Sequence, residues 1–95
     1  MNEPKTNNNQ NYTITISPKG KQGTLHHEVH DSSGNLIGTR NSKHRYEFAL
    51  VVRNKDDEQG GNGVLSWHKA AKNVPTKTGK WTSHLVIVGV ATLQE

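Results

Sequence analysis

The chain has 95 residues, of which 29% are hydrophobic and 5% aromatic, and a formal net charge of +4. That suffices for one small domain with a modest core, and no apolar run nears the ~18 residues that a membrane helix requires. With no cysteine in the chain, a disulfide scaffold and a thiol nucleophile are excluded.

Residues 1–11 contain no Leu, Ile, Val or Phe. A stretch so polar cannot offset the entropy of ordering. Residues 1–11 are therefore expected to form a disordered tail, and 12–95 a single small β-rich domain. The start lacks the basic region and apolar stretch of a secretion signal, which predicts a cytoplasmic protein and leaves the Asn11-Tyr12-Thr13 sequon idle.

Residues 12–17 alternate, with Tyr12, Ile14 and Ile16 on one face, and predict a half-buried strand. Pro18-Lys19-Gly20-Lys21 is expected to break it as a turn. Residues 24–30 alternate again. Asp31-Ser32-Ser33-Gly34-Asn35 has turn chemistry, so 24–39 reads as a hairpin, with a second break at Asn41-Ser42-Lys43. The next strand spans 44–53. Tyr46, Phe48, Leu50 and Val52 share one face; Arg45, Glu47, Ala49, Val51 and Arg53 share the other, where burial should be partial. Residues 54–63 predict a flexible acidic and glycine-rich loop.

Residues 64–73 fit either a strand or a short helix capped by Ser66 and running through Trp67, Ala70 and Ala71. The helix or helical turn is favoured, and Pro75 closes the segment either way. Residues 85–93, LVIVGVATL, are apolar on both faces. Such a strand belongs in the middle of a sheet, under a covering layer or in a subunit interface. Together these elements predict an α+β domain of about five antiparallel strands with one short helix or helical turn. The alternative is an all-β small sheet or barrel.

Charge is distributed unevenly. No Asp or Glu occurs between Glu58 and Glu95, or from Ser32 to Tyr46. The first window holds Lys69, Lys72, Lys77 and Lys80 between Trp67 and Trp81; the second holds Arg40, Lys43, His44 and Arg45. Lysine and arginine neutralise phosphates and release counterions, and an indole offers a stacking face to any base. Arg40, Lys43, Arg45, Trp67, Lys69, Lys72, Lys77, Lys80 and Trp81 are therefore the expected nucleic-acid contacts. The competing expectation is that the lysines are merely solvated and that both tryptophans are core, since a chain with so few aromatics needs them there.

Two glycine motifs fail on context. Gly60-Gly61-Asn62-Gly63 fits G-x-x-G but lacks flanking helices. Gly79-Lys80 lacks both the first glycine and the Ser/Thr of a nucleotide-binding loop, with Val74 and Trp81 in those places.

The six histidines raise the question of metal binding. His26, Glu28 and His30 share a strand face, and imidazole with carboxylate is a transition-metal ligand set. The three span about 13 Å along a strand, so a site would need a further ligand from His44, His68 or His84. His27 faces Leu25 and Val29 and is expected to be partly buried and hydrogen-bonded. Ser66 and His68 are near one another only in sequence, and Asp56-Asp57 lie in a loop too flexible to hold two carboxylates for catalysis.

These observations predict a small non-enzymatic binding module without a cofactor or a membrane partner. It would contact nucleic acid or a nucleoprotein through basic loops, mainly at phosphates. The alternative is a protein-binding inhibitor or adaptor of phage or mobile-element type, a homodimer through the last strand, or a partner's strand added to it.

Overall fold

The computed structural model describes residues 12–57 and 61–94. The expectations for 1–11 and for 58–60 of the acidic loop lie outside the described residues. Six strands form one sheet: β1 (Tyr12–Lys19), β2 (Thr24–His30), β3 (Leu36–Ser42), β4 (Phe48–Asn54), β5 (Gly63–His68) and β6 (Leu85–Leu93). Their spatial order is β3-β2-β1-β6-β4-β5. Four neighbouring pairs are antiparallel, whereas β1 and β6 run parallel from Tyr12–Ala91 to Ile14–Leu93. The outer strands β3 and β5 then approach each other at Gly38 and Val64, so the sheet curls into a nearly closed barrel. The fold is all-β with a mixed sheet. It corrects the expectation of an α+β domain with five antiparallel strands.

The barrel interior is built by period-two alternation. Tyr12, Ile14, Val29, Ala49, Val51, Val88 and Ala91 form the buried cluster, with Ile16, Ile37, Val64, Trp67 and Leu93 packed against it. β1 runs through Pro18 to Lys19 instead of breaking there. Pro18 lies opposite Leu25 of β2 and beyond Ile14, where pairing with β6 has ended, so its missing N–H removes no ladder bond. The following turn uses Gly20 and Gly23 at φ 73° and 79°.

The β2–β3 connection is organised by Asp31. Its Oδ1 accepts the backbone N–H groups of Ser33 and Asn35, each at 2.9 Å, and its Oδ2 accepts from the Asn35 amide at 3.1 Å. The Asn35 bonds, followed by those from Ser33 and Gly34, hold the Asp31 carboxyl below its ordinary value. A depressed folded pKa contributes stability above the unfolded value, and that contribution is lost as pH falls through the folded one. β3 continues through Asn41 and Ser42, which pair with His26 and Leu25; the expected break comes later.

β4 begins at Phe48, after the expected start. Ala49 and Val51, assigned to the partly buried face, point into the barrel and are fully buried. Leu50 and Val52 are buried on the opposite face, because the segment joining β5 to β6 crosses it. Val74 and Pro75 of that segment line an apolar cleft with Phe48, Ile87 and Val90. β5 is a strand, so the favoured helix through Trp67 does not form; only 3-10 turns occur, at Ala71–Asn73 and Lys80–Thr82. Trp67 and Val64 pair opposite Ala49 and Val51, and burying them in the barrel outweighs the cap that Ser66 offered. β6 pairs with β4 from Leu85 to Thr92, with a bulge at Val88, and with β1 at Ala91–Leu93. It is thus an interior strand, which corrects the alternative of a last strand free at a sheet edge. No helix among the described residues is long and apolar enough to cross a membrane.

Candidate functional site

The barrel gathers the basic residues into two groups. At one end, the connection between β3 and β4 meets the residue after β5. Lys69 Nζ donates to His44 Nδ1 at 3.1 Å, which joins the two acid-free windows. The Arg40 guanidinium lies 4.7 Å from the centre of the Tyr46 ring, a cation–π contact that holds its charge outward. Lys43 is exposed in the connection that follows β3. Arg45 differs, since its Nε donates to Glu47 Oε2 at 2.8 Å and its charge is offset locally.

At the other end, the Lys55 N–H donates to the His84 carbonyl at 2.8 Å and ties the end of β4 to the start of β6. Lys55 and Lys77 line one open recess of about 380 Å³ with the hydroxyl residues Thr76, Thr78 and Ser83. Asp56 and Asp57 follow on an exposed turn and are not part of that lining. Lys80 lies on the adjacent turn, and Lys72 on the exposed turn Ala71–Asn73. Among the described residues, no ion pair involves Lys43, Lys69, Lys72, Lys77 or Lys80. Lys55 was hidden in the sequence by the three acids that follow it; only the β4–β6 register reveals its place.

The two tryptophans part company. Trp67 packs against the barrel core, its ring 5.8 Å from that of His27 and edge-on to it, and is only partly exposed. Trp81 is 87% exposed. The turn Lys80–Thr82 holds it there: the Gly79 N–H donates to Thr82 Oγ1 at 2.9 Å, and the Thr82 N–H donates to the Gly79 carbonyl at 3.2 Å.

The histidine face of β2 forms a hydrogen-bonded chain. His26 Nδ1 meets Asn41 Oδ1 at 2.6 Å and its Nε2 meets Glu28 Oε2 at 2.9 Å, while His30 Nε2 lies 3.6 Å from Glu28 Oε1. Both ring nitrogens of His26 are engaged, and no group of His, Cys, Asp or Glu among the described residues is arranged to hold a metal. His26, Glu28 and His30, the candidate metal set, instead form this hydrogen-bonded chain. Asn41, then Glu28, raises the His26 pKa above its ordinary value. Asn41→Ala and Glu28→Gln are each expected to bring it back towards that value, read from the His26 ring proton in an NMR titration. Ser66 Oγ and His68 Nε2 are 2.7 Å apart on β5. No carboxylate among the described residues pairs with His68, so the third group of a nucleophile–base–acid array is missing there.

Asn62, within the G-x-x-G match, has a structural role: its side-chain amide donates to Tyr12 Oη at 2.8 Å. Comparison of the chain with protein-family models, with curated proteins and with solved structures found no match.

Proposed function

We propose that this chain is a small non-enzymatic binding module for single-stranded nucleic acid, alone or in a nucleoprotein. Its contacts are mainly to phosphates. The observation that carries this reading is the indole of Trp81, 87% exposed on a turn whose nearest charged neighbours in sequence are Lys77 and Lys80. An exposed indole offers its faces to a partner, and tryptophan is enriched among the residues that anchor binding interfaces. The lysines contribute the sequence-independent attraction, and the ring contributes stacking on any base. Lys55 joins the expected contacts, and Trp67, packed against the core and only partly exposed, contributes less than Trp81. Arg40, Lys43 and Lys69 form a second basic cluster for the same backbone; Arg45, paired with Glu47, contributes less.

The test is a titration with single- and double-stranded oligonucleotides, read by tryptophan fluorescence at two salt concentrations. Quenching is expected with the single strand, with log K falling by roughly 0.7 per log unit of salt for each phosphate engaged. Trp81→Ala is expected to leave stability within about 0.5 kcal/mol, as for an exposed residue, and to weaken binding by about 1–3 kcal/mol, the worth of one stacked base. Absence of both quenching and a mobility shift at low salt would overturn the reading and turn the search to a protein partner.

A further inference from the structure

The outer face of β6 carries a second feature, whose apolar part the nucleic-acid reading does not use. An apolar cleft of about 470 Å³ lies between β4, β6 and the segment that crosses them, with Phe48, Val74, Pro75, Ile87 and Val90 in its walls. It adjoins the recess of Lys55 and Lys77, because both are lined by Thr76 and Ile87. The two together make one groove along β6, apolar at one end and dicationic at the other. Its apolar part follows the strand: Ile87 to Val90 covers about 10 Å at the usual rise per residue.

We propose that this groove binds a small amphiphilic anion, a single carboxylate head on an apolar tail of medium length. The head takes Lys55 and Lys77, with Thr76, Thr78 and Ser83 supplying hydroxyl donors around it. The tail lies against Ile87, Val90, Val74 and Pro75. Charge complementarity selects this occupant. The lining of the dicationic end contains no acid, so an ammonium head is repelled and a neutral head leaves two lysines with only water. The apolar end has a volume typical of small-molecule sites. Val90 is 39% exposed although it belongs to a strand apolar on both faces, as expected of a wall meant to be covered by a ligand. The groove stands apart from the stacking turn, since Trp81 does not line it.

The experiment is a titration of the full chain with octanoate and with 1-octanol, followed by amide NMR. Shifts confined to the groove (48, 55, 71, 74, 76–78, 83, 85–90 and 92) are expected, with octanoate binding about tenfold more tightly than octanol, the worth of one charge-assisted contact. The double variant Lys55→Ala/Lys77→Ala is expected to remove that preference while leaving octanol binding unchanged. Val90→Phe, which fills the apolar end, is expected to weaken both ligands about tenfold by excluding the tail. The same spectra show whether each variant is folded, and the lysine pair is exposed enough to be replaced without disturbing the core. Absent shifts, shifts scattered outside the groove, or equal affinity for the two ligands would overturn the proposal. Binding to anionic vesicles but not to monomeric octanoate would overturn it in favour of a membrane surface. Val90→Phe is expected to leave oligonucleotide binding intact and Trp81→Ala to leave octanoate binding intact, so each reading can fail without the other.

Discussion

His27→Ala is expected to destabilise the protein by about 3 kcal/mol or more, combining the loss of a buried ring with unpaired polar groups. In a chain of this size that corresponds to a fall in melting temperature of roughly 4–8 °C per kcal/mol. His27 is fully buried. Its Nδ1 donates to the Arg40 carbonyl at 3.2 Å, and its Nε2 accepts the Tyr46 N–H at 3.0 Å. The neutral imidazole, with its proton on Nδ1, thus joins β2 to β3 and to the chain before β4. The rings of Tyr46 and Trp67 pack around it at 5.5 and 5.8 Å. Alanine leaves a cavity there and strands one donor and one acceptor. His27→Phe keeps the volume and loses only the hydrogen bonds, so its effect is expected to be smaller, about 1–3 kcal/mol.

The same site sets a pH dependence. Burial pushes the His27 pKa below its ordinary value, against the opposing bonds to the Arg40 and Leu25 carbonyls. The unfolded chain, titrating near ~6.5, then binds more protons than the folded one, and stability rises with pH in that window. The contribution is complete above the unfolded value and is lost as pH falls through the folded one. Its neighbour acts oppositely. His26 has a raised pKa, so its contribution is complete below the unfolded value and is lost as pH rises through the folded one. Urea unfolding from about pH 5 to 8, the range in which histidine titrates, is expected to show a loss of stability on acidification that His27→Phe reduces. An unchanged acid slope in His27→Phe would mean that His27 does not carry it.

Which features were legible in the sequence follows from how local their causes are. β2 and β6 have the bounds expected from alternation and from a continuous apolar run respectively, Thr24–His30 and Leu85–Leu93, because such patterns and flanking turn residues are local. The interior position of β6 follows from its being apolar on both faces. The parallel β1–β6 pairing joins the two ends of the domain, and nothing near Tyr12 or Ala91 in sequence signals it. Residues 64–68 form a strand although a Ser followed by Trp and two alanines satisfies a helix locally; the partner that decides the matter, Ala49 opposite Trp67, is distant in sequence, and of the expected helix only a 3-10 turn forms, at Ala71–Asn73. The faces of β4 were weighed by composition: Ala49 and Val51 sit among Glu47 and Arg53 in the alternation, yet the barrel buries them. At the site, the basic windows were visible as charge. The meeting of Lys69 with His44 and of Lys77 with Lys55 depended on register, and the opposite fates of Trp67 and Trp81 depended on which one entered the barrel.

Closure of that barrel should be sensitive to a single methyl group at Gly38. A Cβ there would lie 2.9 Å from Val64 Cγ2 and 3.3 Å from Val64 Cβ. The valine is β-branched and restricted at χ1, so it cannot swing aside cheaply. Strands β3 and β5, which end the sheet on either side, touch at this point, and the backbone of one must approach the side chain of the other. Gly38→Ala gains about 0.4–1 kcal/mol by restricting the unfolded chain, but the overlap is expected to outweigh that gain and leave a net loss. Gly38→Leu forces the strands apart and is expected to cost about 1–3 kcal/mol, the usual range for overpacking. The decisive measurement is a double-mutant cycle with Val64→Ala. Removing the opposing methyl groups should recover much of what Gly38→Ala loses, giving a coupling of about 0.5–3 kcal/mol as for residues in contact. Additive effects of the two substitutions would show that β3 and β5 do not meet in solution, and the sheet would then be open along that seam with Val64 and Ile37 accessible to solvent.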